Sequence, residues 1–208
     1  MQRLMPAAVA PQRGTSLVEV LVTLVITSYG LLGLSGLMNG MHLVHSEGFQ
    51  RSQALLLLAD MTERIGAGNP QTAVAAAAYA DPATAGLLAP AGTSDSQPAN
   101  CGGLAAGGAR DVCEWSNVLK GSAEKLAGNP VGSITGARGC IELLTAPDAT
   151  TGVCTPATFR ISVAWQGLLE SAAPENGCGR NLYGSADGAR RVLAEQVTVG
   201  LPLCTVHD

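Results

Sequence analysis

The chain has 208 residues, enough for one globular domain and an anchor. Charged residues make up 13% and aromatics 3%, and a net charge of -4 with a pI near 5.3 argues against a nucleic-acid surface. Hydrophobicity is concentrated in the first third; the remainder is rich in Gly, Ala and Thr with short apolar runs, so a modest soluble core is expected.

Met1 to Gly14 carries Arg3 and Arg13 and no acid. From Leu17 to Met38 the chain is apolar apart from a few small polar residues and one acid, Glu19. The run exceeds the 7–15 or so residues of a secretory signal and reaches the roughly 20 that span a bilayer. No small-x-small cleavage site follows it; a small residue, Gly14, precedes it instead. Arg3 and Arg13 hold the leader in the cytoplasm by the positive-inside rule, which puts everything beyond the run on the other side of the membrane. An ionised acid at the centre of such a helix costs about 2.5–3.5 kcal/mol. Glu19 lies near the start, where the cost is lower, but an acid there still calls for a partner.

Gly30, Gly33, Gly36 and Gly40 recur at spacings of three and four, on one helical face. Each costs about 1 kcal/mol against Ala in a helix interior. The spacing fits either close helix packing in a membrane or a segment able to unwind. Helical periodicity continues: Ala54, Leu58, Met61 and Ile65 form an apolar stripe, with Ser52, Gln53, Asp60, Glu63 and Arg64 largely on other faces. The stripe predicts a helix packed on a small domain. It should end near Gly66-Ala67-Gly68, with Asn69-Pro70 as the stop.

Gly14, a short polar pair, an apolar pair and then Glu19 form an arrangement that resembles the class III signal of type IV prepilins and pseudopilins. The resemblance implies cleavage after Gly14 by a prepilin peptidase, exposure of Thr15, and N-methylation of that new terminus. The family usually carries phenylalanine at the methylated position, and this chain departs from it with Thr15. Glu19 would pair with the N-terminal amine of a neighbouring subunit. The phrase from Ala54 to Ala73, ALLLLADMTERIGAGNPQTA, together with GLLGLSGLM from Gly30 to Met38, resembles the PilV subfamily of minor pilins, the type IV pilus modification proteins. DVCEWSNVL (Asp111 to Leu119) and FRISVAWQ (Phe159 to Gln166) resemble the same subfamily. The implied organisation is a leader (1–14), a transmembrane half of a spine helix (15–41), its periplasmic half (42–68) and a disulfide-containing periplasmic head (69–208). The implied fold is α+β, the type IV pilin fold, with a helical spine on a small antiparallel sheet.

From Gln71 to Ala109 the chain reads as a long loop with a short helix around Thr72 to Tyr79. Asp111 to Leu119 reads as a helix with Asp111 as N-cap and Val112, Trp115 and Leu119 on one face. Three strand signals follow. Gly139 to Leu144 is short and apolar. Phe159 to Trp165 alternates, with Phe159, Ile161, Val163 and Trp165 on one face and Arg160, Ser162 and Ala164 on the other. Arg191 to Val199 is weaker, with Val197 and Val199 on one face.

All six cysteines (Cys101, Cys113, Cys140, Cys154, Cys178 and Cys204) lie beyond the apolar run, as expected of disulfides in an oxidising compartment. Six cysteines allow fifteen pairings, and sequence does not choose among them. Placement along the strands suggests Cys140 with Cys154 across the first strand connection, Cys178 with Cys204 around the third strand, and Cys101 with Cys113. A metal site or cofactor is not expected: there is no C-x-x-C pair, and the histidines are His42, His45 and His207. Thr93-Ser94-Asp95-Ser96 and Ser185-Ala186-Asp187-Gly188 read as turns. No G-x-S-x-G, H-E-x-x-H, Walker loop or dinucleotide fingerprint occurs. The chain reads as the substrate of an enzyme rather than as one.

The resemblance implies a minor pilin anchored in the inner membrane, joining other minor pilins and the major pilin in a priming or tip complex. That complex would support pilus assembly, twitching and adhesion, with a tip adhesin as a further partner. Two alternatives stay open: a type II secretion pseudopilin, and a membrane-anchored binding or adhesin domain that never enters a filament.

Overall fold

The computed structural model describes residues 14, 16–80, 91–93, 95–122, 124–132, 134–184 and 186–204. The expected leader with Arg3 and Arg13, the expected new terminus Thr15, and His207, Ser94 and Ser185 lie outside the described residues. The chain is α+β and divides into two compact units, Met1–His45 and Ser46–Asp208.

The first helix, α1, runs from Leu17 to Gly68 and supplies both units. In the first unit its described side chains are all exposed, large apolar ones included. Three of its hydroxyls are satisfied along the helix itself. Thr23 Oγ1 donates to the Val20 carbonyl at 2.9 Å, Thr27 Oγ1 to that of Thr23 at 2.9 Å, and Ser28 Oγ to that of Leu24 at 2.7 Å. This segment is long and apolar enough to cross a membrane, and such internal bonding suits a helix in hydrocarbon.

In the second unit α1 turns amphipathic. Ala54, Leu58, Met61 and Ile65 are fully buried, as their spacing predicts. The helix closes where the glycine-rich stretch and Asn69-Pro70 place its end: Asn69 takes φ 42° and its N–H donates to the Ile65 carbonyl at 3.0 Å, the left-handed terminus that Asn tolerates. A short helix, α2 (Ala73–Ala77), follows, capped by the Thr72 hydroxyl, which accepts from the Ala75 N–H at 3.2 Å.

The next helix, α3 (Gly108–Leu119), begins earlier than predicted, with Gly107 rather than Asp111 at its cap. Gly108 fits against the Ala78–Tyr79 backbone, where a Cβ would collide. Asp111 therefore lies in the first turn, and its carboxylate accepts the Tyr79 hydroxyl at 2.6 Å. A 3-10 turn, Cys101–Gly103, precedes the helix.

The sheet has four antiparallel strands rather than three, in the order β1 (Ala91–Gly92), β4 (Arg138–Thr145), β5 (Ala157–Gln166) and β6 (Arg190–Val199). Between β1 and β4 lies a small hairpin, β2 (Lys125–Leu126) with β3 (Asn129–Pro130). Its central residues Ala127 and Gly128 both have positive φ, the condition for the turn that best matches strand twist.

One face of β5 carries Phe159, Ile161, Val163 and Trp165 into the core with the α1 stripe, Trp115 and Leu119. Trp115 is fully buried and its indole N–H donates to the Leu57 carbonyl of α1 at 2.8 Å, so the tryptophan ties both helices together. Gly139 makes room for it: a Cβ there would overlap the Trp115 ring and Leu119. The second face of β5 is covered too. Ser162 and Ala164 are buried beneath the segment 167–189, with Cys178 and Tyr183 packed on them.

Candidate functional site

At the N-terminal end, Gly14 is exposed. Ser16 lies immediately before α1, and its hydroxyl and carbonyl both accept from the Glu19 N–H, at 3.3 and 3.1 Å. Glu19 thus occupies the third helical position after a serine cap. S-x-x-E is the capping-box spacing, a signal the reading of this stretch as an apolar run with one acid passed over. A carboxylate in the first turn also meets the positive end of the helix dipole. These local terms lower the cost of the charge without giving it a counter-ion. Gly30, Gly33, Gly36 and Gly40 are exposed, and a Cβ added at any of them meets no atom within 4 Å. Nothing in the unit itself demands glycine there.

The six cysteines form three disulfides. Cys101–Cys113 pairs as expected and fastens the 3-10 turn to α3. The other two pairs differ from the strand-flank reading: Cys140 joins Cys178, and Cys154 joins Cys204. The reason is the segment 167–189. It folds back over the second face of the sheet and lays Cys178 on Cys140, beside Ala164 and Tyr183. Cys154 is left in the connection after β4, where the Leu201–Cys204 turn returns and places the Cys204 sulfur 3.6 Å from the Ala149 carbonyl.

Two carboxylates that read as turn residues prove to be organising centres. Asp95 is almost wholly buried. It accepts from the Gly92 N–H at 2.9 Å, from the Ser116 hydroxyl and from Lys120 Nζ at 2.8 Å, so it holds the loop after β1 against α3. Asp187 accepts the Asn181 N–H at 2.9 and 3.0 Å and pairs with Arg190 Nε at 3.0 Å. The Arg190 guanidinium, 1% exposed, also donates to the carbonyls of Asn176 (2.5 Å), Cys178 (2.9 Å) and Pro174 (2.8 Å). One buried cation therefore clamps the segment that carries Cys178.

Tyr183 donates to the Gly136 carbonyl at 2.7 Å, and burial pushes its phenol up to about 12, against the opposing charges of Arg138 and Arg190. Burial, reinforced by the hydrogen bond to Asp111, also raises the Tyr79 phenol well above its ordinary value. Arg64 pairs with Asp60 at 3.1 Å and Glu114 at 2.8 Å. Burial works against its charge, but the bonds to Glu114 and Asp60 prevail and raise its pKa.

Among the described residues no three His, Cys, Asp or Glu side chains gather as metal ligands would. A cleft of about 240 Å³ beside the Cys140–Cys178 bridge is lined by Glu142, Arg160, Ser162 and Asn176. Its one cation, Arg160, is already paired with Glu142 at 2.8 Å. Within the second unit, three disulfides and the buried Asp187–Arg190 pair fasten the loops to the sheet and α3. No protein-family model, curated protein or solved structure matches the chain.

Proposed function

We propose that this chain is a minor pilin. On this reading a prepilin peptidase cuts after Gly14, and the subunit waits in the inner membrane with its head in the periplasm. It then joins other minor pilins and the major pilin at the tip or base of a type IV pilus. The observation that carries the reading is α1. It begins three residues after an exposed Gly14, holds one acid in its first turn, exposes apolar side chains along the whole first unit, and then supplies the core of a disulfide-closed α+β domain. A helix of that composition suits two surroundings in turn, lipid before assembly and neighbouring helices after it. The open face at Gly30, Gly33, Gly36 and Gly40 would let such neighbours approach closely.

Glu19 is the assembly residue in this proposal. Cleavage would create an amine at Thr15, and the Glu19 carboxylate of an adjacent subunit would neutralise it on entry into the apolar filament interior. Processing would thereby license assembly. Gly14→Val tests the first step: in cells with an active prepilin peptidase the wild-type chain should shorten by its leader, while the variant stays at precursor length. A wild-type chain that remains intact in such cells would remove the basis of the proposal.

A further inference from the structure

A turn in the second unit exposes two leucines side by side. Leu168 and Leu169, which follow β5, are each about half exposed. Single exposed leucines are ordinary on soluble proteins; a contiguous pair held in a fixed position calls for a reason. Here the position is fixed. The Leu169 N–H donates to Glu47 Oε1 of α1 at 3.3 Å, and the Leu169 carbonyl accepts from Arg191 at 2.5 Å. The same guanidinium reaches Glu47 Oε1 at 3.4 Å, Ser171 Oγ at 2.7 Å and the Gly188 carbonyl at 3.1 Å. The neighbouring N–H groups are satisfied as well: Gly167 donates to Ala189 at 2.7 Å and Ser171 to Gly188 at 2.8 Å. A Cβ at Gly167 would crowd the Arg191 side chain.

The place of this turn along the chain identifies its surroundings. Glu47 is the second residue of its unit. Val44, the last of three exposed apolar residues (with Met41 and Leu43) that follow the run from Leu17 to Met38, lies three residues before it. Three residues reach at most about 11 Å fully extended. The run from Leu17 to Met38 corresponds to about 33 Å of helix, close to a hydrocarbon core of about 30 Å, and the exposed Met41, Leu43 and Val44 continue apolar side chains into the boundary beyond it. Phe49, two residues beyond Glu47, is exposed too.

We propose that the Leu168–Leu169 turn is a lipid-contacting foot, which enters the boundary between headgroups and acyl chains where α1 leaves the bilayer. This rests on the reading of α1 as a membrane span. Glu47 and Arg191 neutralise each other beneath the turn, and the named N–H groups are already bonded, so the leucines can enter the interface without stranding those polar groups there. The foot would hold the unassembled subunit against the membrane and release it when the helix is drawn into a filament.

The test places a nitroxide at Leu169→Cys in the full chain, reconstituted into phosphatidylcholine–phosphatidylglycerol vesicles. All six native cysteines are paired, so the introduced thiol alone takes the label. Leu31→Cys reports on the span, and Leu203→Cys, at an exposed site in the turn after β6, reports on water. The expected result is a severalfold fall in collisions with a water-soluble nickel chelate at 169 relative to 203, a rise in collisions with oxygen, and a still deeper signal at 31. If 31 reads as lipid while 169 matches 203, the foot is refuted and the span stands. If 31 itself reads as water, the span fails and the foot fails with it.

Discussion

Arg190 offers the sharpest test of how the head is held together. Replacing it by Met removes a cation that is 1% exposed and leaves four acceptors without their donor: the Asp187 carboxylate and the carbonyls of Asn176, Cys178 and Pro174. Removing one partner of a buried ion pair typically costs about 3–5 kcal/mol, because the other charge stays behind uncompensated. For a domain of this size each kcal/mol lowers the melting temperature by about 2–4 °C. The expected fall is therefore roughly 6–20 °C, measured by circular dichroism on the full chain in detergent micelles with its disulfides intact. Arg160→Met is the control. Its pair with Glu142 is shorter, at 2.8 Å against 3.0 Å for Arg190 and Asp187, but both side chains are more than a third exposed. Exposed pairs contribute about 0–1 kcal/mol, so its shift should be a few degrees at most. The double variant Arg190→Met/Asp187→Asn should be less damaging than Arg190→Met alone, since no charge is then left buried. Equal losses for Arg190→Met and Arg160→Met, or a double variant no better than the single one, would refute the reasoning.

Tyr183 and Tyr79 both have raised pKa values, so the stability they confer is complete below the ordinary tyrosine value near 10 and is lost as pH climbs from there toward 12 and beyond. Denaturant midpoints should accordingly hold steady up to about pH 10 and fall above it, and most of the tyrosinate absorbance should appear only with unfolding. Peptide mapping of unreduced protein should recover Cys101–Cys113, Cys140–Cys178 and Cys154–Cys204, and thiol labelling of denatured, unreduced chains should be negligible; a Cys140–Cys154 peptide would contradict the fold of the segment 167–189. Glu19→Ala should be inserted and cleaved but fail to associate with other minor pilins, with Glu19→Asp intermediate. If Glu19 serves only as a helix cap or in peptidase recognition, the cleaved Ala variant will assemble normally.

The parts of the fold that were legible in advance are those governed by local periodicity. Ala54, Leu58, Met61 and Ile65 are core because three-to-four spacing leaves them no other face, and Asn69-Pro70 stops α1 because one residue adopts the left-handed region and the other lacks an N–H. The strand β5 was readable from its alternation. What escaped depends on contacts between distant segments. Strand β1 is two residues long and exists because Asp95 and Ser116 hold its backbone. The start of α3 shifted because Tyr79, from the turn after α2, claims Asp111. The disulfide connectivity followed from the second cover of the sheet, which local pattern does not encode. One signal was present: Ser162 and Ala164 are small enough for a returning segment to lie on them, and Gly179 allows Tyr183 to sit close by. At the N-terminal end, Ser16 and Glu19 carried capping-box spacing inside a stretch read for its apolarity, its charge and its resemblance to a prepilin signal.

The central claim is that this chain is processed and built into a filament. The direct measurement is quantitative mass spectrometry of sheared surface pili beside the membrane fraction of the same cells. The account predicts a low-abundance subunit in the pili whose first residue is Thr15, lost from that fraction when Glu19 is replaced by Ala while the cleaved chain remains in the membrane. A cleaved chain confined to the membrane fraction of piliated wild-type cells, or one found in pili with its leader still attached, would contradict it.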